Sequence, residues 1–418
     1  MTLKPRASTQ KSVELRTNAR IIGLDGARGL SAVGVAVMHV AGNFSPNTAA
    51  QTKIGLVGMS LIFFFVLSGF LLFLPYVRKL TEDPAVAVAP SARNFAIHRV
   101  ARIVPGYLVI FLLCNFVFQV VYVENPTLQP VGTDDGTGMM TDPGALLANL
   151  TLMQTYFPQY IFTGLNPSWS LTLEFAFYAS LPLCAALLFA MRRRTSVRPF
   201  ILAASLPLFF IAIGFIGKLL LPFVSNHFGV TDPEMVQWGP NWVAVYVRSF
   251  LVNADNFAFG MLAAILMVAM EQRSCPERLS RRVQLIAALA LPVVILASLV
   301  LIAFGDMFGT SGLAVASALV ILVIVAPLAR GQRSRIGEAL ELAPFLYVGK
   351  VSLSLYLLHF PTMLMLHRFG LLAGDSIGGM CLNIVVVLAV TLLASSVTYF
   401  GVEKPAMNIA KRYRYRWR

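Results

Sequence analysis

The feature that most constrains what this chain can become is its succession of long apolar runs. A transmembrane helix needs about 20 predominantly apolar residues. About ten stretches qualify, near 22–44, 55–77, 102–123, 168–190, 199–223, 243–270, 283–304, 311–329, 343–366 and 378–402. Another apolar stretch, near 144–162, is short and follows Pro143, which predicts an interfacial or re-entrant piece. A length of 418 residues alone would suggest roughly two or three soluble domains. Composition overrides that reading. Apolar residues make up 57% of the chain and charged residues 12%, about half the usual charged share and too little to cover a soluble protein of this size. The expected fold is an all-α polytopic membrane protein of about ten transmembrane helices. A disulfide-stapled secreted scaffold, a disordered tail protein and an ordinary cytosolic enzyme are excluded.

The basic residues fall between the runs in a pattern. They cluster in the first 20 residues, at Arg78 and Lys79 with Arg93, Arg99 and Arg102, at Arg192 to Arg194, from Arg273 to Arg282, from Arg330 to Arg335, and from Lys404 to Arg418. With ten spans every cluster lies on one side, and the positive-inside rule makes that side cytoplasmic. The intervening loops carry Glu124, Asp134, Asp135, Asp142, Asp232, Glu234, Asp306 and Asp375. Both termini are therefore expected in the cytoplasm, flanking a transmembrane domain over 21–403 with basic segments at 1–20 and 404–418. The net charge of +14 reads as this flanking charge rather than as a nucleic-acid surface. The first apolar run has no small-residue cleavage site after it, so it is expected to be a retained helix rather than a signal peptide. Cys114, Cys184, Cys275 and Cys381 form no CxxC pair, so neither a disulfide framework nor a metal site is expected.

Ionisable residues inside spans cost several kcal/mol and are candidate functional groups. In the first span, Arg28 and His39 are 11 positions apart, about 20° past three full helical rotations and about 16 Å along the axis. They share a face, with Arg28 at the rim and His39 deep in the bilayer, where a neutral imidazole is suited to take a proton from a hydroxyl. Asp25 stands one turn before Arg28. In the second span, Ser68-Gly69 permits close helix approach. Arg99 and Arg102 share a face at the start of the third span, where a phosphate-bearing ligand from the cytoplasm would be a fitting guest. In the fourth span, Glu174 lies about 9 Å below Ser168 and needs a partner, either His39 or an arginine. Trp169 and Tyr178 suit an interfacial aromatic belt. In the ninth, Ser352, Tyr356 and His359 make a polar stripe on one face, with Pro361 expected to kink the helix just beyond. His98, His227 and His367 read as surface residues. No P-loop, dinucleotide fingerprint or HExxH helix is present.

Taken together, these segments resemble the acyltransferase-3 family of integral membrane acyltransferases, which includes bacterial O-antigen and exopolysaccharide acetyltransferases. Five stretches carry the resemblance in order: Leu24 to Gly29 followed by His39, Phe64 to Phe70, His98 to Tyr107, Trp169 to Tyr178, and Ser352 to Pro361. His98 stands where the family has an arginine. The resemblance implies that an acyl-CoA, most simply acetyl-CoA, enters from the cytoplasm as co-substrate. Its phosphates would meet Arg99, Arg102 and Arg28, with Ser68 and Trp169 along its path. His39 would act as general base, with Glu174 and Asp25 as its catalytic company. A hydroxyl-bearing glycolipid or glycan would approach from outside past Ser352, Tyr356 and His359. No metal is implied, and the location is the plasma (inner) membrane. A succinyl or longer acyl donor would leave the same motifs. Many members carry a further esterase-like domain, which does not follow this domain before Arg418, so a second step would need another protein. The competing readings are a secondary transporter with a proton relay through His39, Glu174 and His359, whose two repeat halves are not visible, and a structural membrane protein glued by polar residues.

Overall fold

A computed structural model describes residues 20–83, 87–272 and 274–415. The basic positions before Arg20, together with Arg273 and residues 416–418, lie outside the described residues. The long helices are α1 (Leu24–Phe44), α2 (Leu61–Leu80), α3 (Ala92–Leu112), α4 (Trp169–Arg194), α5 (Pro199–Phe228), α6 (Phe250–Glu271), α7 (Glu277–Ala303), α8 (Phe308–Ala329), α9 (Ser352–Arg368) and α10 (Ile377–Thr398). Each corresponds to one of the expected runs. The third begins ten residues earlier than its apolar stretch, because Ser91 caps it by accepting from the Asn94 amide. The stretch near 144–162 forms only an eight-residue helix, Pro143–Leu150, and turns. The described part of the C-terminal basic segment is helical, Lys404–Tyr415.

Eight helical segments are long and apolar enough to cross a membrane among the described residues. The two expected spans outside that set are α1 and α9. Charged Asp25 and Arg28 with His39 dilute α1, and α9 is only 17 residues long. These are the two helices richest in candidate site residues. They pack against each other, and both run the same way through the bundle. The helix of α9 continues through Pro361 to Arg368.

The bundle is assembled around α6, which contacts α2, α5 and α8. Close approach of α2 and α6 depends on absent side chains. A Cβ on Gly69 would sit 2.0 Å from the Phe257 carbonyl oxygen, and one on Gly260 would sit 1.8 Å from that of Val66. The packing role expected for Ser68-Gly69 is thus realised by the glycine. By contrast α7 lies outermost, with Leu285, Ile286, Leu289, Val293 and Leu296 exposed.

Side-chain contacts give the bundle two chemically different ends. At one end Arg78 pairs with Glu271 at 2.7 Å, Gln272 donates to Thr81, Arg192 reaches the Leu80 carbonyl, Arg330 donates to Ser280 and Gln284, and Arg20 pairs with Glu341 at 2.9 Å. The expected basic clusters represented there share that end. At the other end Asn125 donates to the Trp238 carbonyl, Asp375 caps the amides of Asn47 and Thr48, and Arg368 pairs with Asp134. The Arg368 guanidinium, through its hydrogen bond, holds the Asp134 carboxyl below the usual carboxylate range. A two-stranded antiparallel ribbon, Val121–Tyr122 with Thr137–Gly138, ties the loops of this end together.

Candidate active site

The interior cavity is assembled from five helices. It encloses about 730 Å³ of empty space, open mouth included. Arg28 of α1, Ser68 of α2, Arg99 and Arg102 of α3, Glu174 and Tyr178 of α4, and Ser352 and Tyr356 of α9 all contribute to its walls, with Phe64, Phe65 and Leu71 as apolar lining. Arg102 lies ten residues into α3, about 15 Å from its basic end.

Each polar wall has a local cause. The glycine face of α1 lets the chain before α9 approach closely: a Cβ on Gly29 would sit 2.6 Å from the Gly349 nitrogen. That contact lets the Arg28 guanidinium donate to the Gly349 carbonyl at 2.8 Å and to Ser352 Oγ at 3.1 Å, while pairing with Asp25 at 2.9 Å. Glu174 and Tyr178 are one helical turn apart, so the tyrosine hydroxyl donates to the Glu174 carboxylate. Ser68 Oγ donates to the same carboxylate at 3.3 Å. Both Arg99 and Arg102 lie within electrostatic reach of Glu174, and Arg99 also of Tyr178. The lining therefore holds three guanidinium groups and a single carboxylate. Asp25 and Glu403 add negative charge behind the wall, Glu403 as the acceptor of the buried Ser354 hydroxyl. The lining itself is cationic, while the carboxylates that balance it beyond Glu174 stand behind the wall.

His39 does not line this cavity. It is joined to it through α9. Ser352 and Tyr356 face the cavity, the Tyr356 ring lies 6.0 Å from that of His359, and His359 Nε2 lies 2.8 Å from His39 Nδ1. The stripe at spacings of 4 and 3 thus runs without a break from the arginines to the imidazole pair. Arg28 and His39 both reach α9, which bears out their common face. The Tyr356 hydroxyl is fixed by Ser170 Oγ at 2.8 Å and the Pro167 carbonyl at 3.0 Å.

Several expected groupings are divided. Glu174 bonds Ser68 and Tyr178, not His39, so its partners are the arginines of the cavity. Asp25 sits at the basic rim between Arg20 and Arg28, well away from His39. Trp169 belongs to an aromatic cluster in which the Arg248 guanidinium lies 4.6 Å from its ring and 4.0 Å from that of Trp238. His98 is a partly covered residue of α3 bonded to the Asn94 carbonyl, and His367 packs on Phe44. Two buried charged positions escaped sequence reasoning. Lys218, a lone lysine in the largely apolar 30-residue α5, meets Asp255 at 2.6 Å, and Arg248 stands between two short apolar stretches. Either isolated charge was a usable signal. Among the described residues no group of three or more His, Cys, Asp or Glu is placed to hold a metal ion, and the four cysteines are free.

The fold and this cavity define a largely helical protein with several apolar helices and an interior cavity lined by three arginines. Its family follows from comparison. An acyltransferase domain model matches residues 21–400, and the chain belongs to that family of membrane acyltransferases. It is also 27% identical over 401 residues to the acyltransferase MdmB of Streptomyces mycarofaciens, covering 91% of this chain and 86% of that protein. No solved structure matches it.

Proposed function

We propose that the protein is an acyl-CoA-dependent O-acyltransferase of the plasma membrane. It takes an acyl group, acetyl in the simplest case, from cytoplasmic acyl-CoA and delivers it to a hydroxyl of an envelope glycolipid, polysaccharide or other glycosylated acceptor. The observation that carries this reading is the cavity of Arg28, Arg99 and Arg102 against the single carboxylate of Glu174. Guanidinium groups are suited to phosphate by planar, paired hydrogen bonding. A cationic pocket near the basic end fits the phosphates of a coenzyme A thioester better than it fits a neutral solute. The acyltransferase family and the acyltransferase relative give the reaction type.

In this reading the transmembrane unit spans 21–403, the basic segments 1–20 and 404–418 face the cytoplasm, and both termini lie there. The thioester points along the Ser352–Tyr356–His359 stripe. His39 removes the acceptor hydroxyl proton as the oxygen attacks the thioester carbonyl. The new C–O bond forms, the C–S bond breaks, and the proton passes to the departing thiolate. Glu174 tunes the arginines rather than the base. The test is turnover of acyl-CoA by the purified full-length protein in lipid nanodiscs with a panel of glycosylated acceptors. Wild type is expected to release free coenzyme A in step with acyl ester, and His39→Ala to lose about 100-fold or more in kcat. Turnover by His39→Ala at the wild-type rate would refute the base assignment.

A further inference from the structure

His39 of α1 and His359 of α9 lie 320 positions apart in sequence, yet their rings meet nitrogen to nitrogen. The geometry of that meeting carries more than proximity. The ring centroids are 5.1 Å apart and the planes are within 12° of each other. A face-to-face stack would separate the nitrogens by about as much as the centroids. Instead Nδ1 and Nε2 are only 2.8 Å apart, so the rings lie edge to edge in a nearly common plane, as an in-line N–H···N hydrogen bond requires.

The bond has a direction, and the backbone sets it. His359 Nδ1 lies 3.2 Å from the Leu355 carbonyl oxygen, one turn earlier on α9. A carbonyl only accepts, so His359 Nδ1 carries its proton. In a neutral imidazole the second nitrogen is then an acceptor, which leaves His359 Nε2 with a lone pair facing His39. His39 Nδ1 must therefore be the donor, and its proton is held there. The lone pair of His39 is left on Nε2, to which no described residue donates or accepts a hydrogen bond. His359 is fully buried, whereas His39 is half-buried. The inner ring is the fixed one and the outer ring keeps an approachable edge.

We infer that His359 is a positioning residue. It locks His39 in the Nδ1–H tautomer and so presents Nε2 as the base. The inference rests on the acyl-transfer reading for the use of that base, and on the hydrogen-bond geometry alone for the tautomer. It places His359 in the role that a buried carboxylate plays in a serine-histidine-aspartate triad, and removes it from the acceptor path to which the sequence pattern assigned it. In the reaction the hydroxyl proton goes to His39 Nε2 and the C–O bond forms as the C–S bond breaks. The imidazolium keeps donating Nδ1–H to His359 Nε2, and Nε2–H then protonates the thiolate. Phe360, whose ring meets that of His39 edge-on at 5.1 Å, limits rotation of the imidazole out of this line.

Two measurements test it. The chain has five histidines, few enough for nitrogen NMR of the full-length protein labelled at histidine in nanodiscs, with assignment from the His39→Gln and His359→Gln spectra. His39 is expected to carry its proton on Nδ1, and a wild-type His39 protonated on Nε2 would overturn the inference. The second is steady-state turnover. His359→Leu offers no acceptor, so His39 is free to hold its proton on Nε2. It should lose on the order of 100-fold in kcat with little change in KM for acyl-CoA. His359→Gln restores an acceptor oxygen near the position of Nε2 and should recover most of that loss. Equal kcat losses in the Leu and Gln variants would mark His359 as mere packing and overturn the inference. No wild-type turnover with any acyl-CoA would instead sink the acyl-transfer reading and the base role with it, while the spectrum still decides the tautomer.

Discussion

Lys218, Asp255 and Ser311 close on one another, whereas Arg28, Arg99 and Arg102 close on a cavity. In the first group the Lys218 ammonium meets both Asp255 oxygens at 2.6 and 2.7 Å, and Ser311 donates to the same carboxylate at 2.6 Å. The side chains of the ion pair are completely covered, and Gly214 leaves room for the carboxylate: a Cβ there would sit 2.5 Å from Asp255 Oδ1. Charge is balanced within the group. In the second group three cations and one carboxylate line empty space, with Asp25 paired to Arg28 behind the wall. Both groups bury ionisable residues among apolar helices, so sequence position alone would rank them alike. Stoichiometry and space separate them. The closed group fastens α5, α6 and α8 together, while the open one, on the reading proposed above, receives an anion.

That contrast can be broken at either group. The largest effect is expected from Asp255→Ala, which leaves Lys218 buried without its counter-charge. Losing one partner of a buried pair costs about 3–5 kcal/mol, so thermal unfolding in detergent should shift down sharply. Replacing both members, Lys218→Met with Asp255→Leu, should recover much of the loss. A single variant as stable as wild type would show that the pair is not a fastening. A smaller effect is expected at the cavity from Glu174→Gln. Removing the one lining carboxylate leaves the guanidinium groups less neutralised, so coenzyme A should bind a few-fold more tightly at low salt, with a steeper loss of affinity as salt rises. Weaker binding would mean that Glu174 organises the ligand contacts through Ser68 and Tyr178 rather than tempering the charge.

Much of this architecture was legible because apolar run length is a local property. The helices from Pro199 to Ala329 appear where their runs predicted them. The shared face of Arg28 and His39 was legible too, since helical periodicity needs only spacing. Partnership was not. Glu174 needed a partner, and whether that was His39 or an arginine depends on how α4 rotates against α3 and α1. The pairing of His39 with His359 depends on two parallel helices from opposite ends of the chain, a relation no periodicity encodes. The polar stripe of α9 was visible, but its division into Ser352 and Tyr356 at the cavity and His359 against His39 is a consequence of packing. Lys218 was passed over because a lone lysine in a long apolar run leaves the run's overall hydropathy intact.

The central claim is that the arginine cavity receives the phosphates of an acyl-CoA. Equilibrium binding of acetyl-CoA to the purified full-length protein in nanodiscs, wild type beside Arg102→Ala, tests it most directly. Wild type should bind saturably. Arg102→Ala should bind about tenfold or more weakly, the value of a charged hydrogen bond, while unfolding at an unchanged temperature. Equal binding by the two proteins, or no binding by wild type of acetyl-, succinyl- or longer acyl-CoA, would contradict the account.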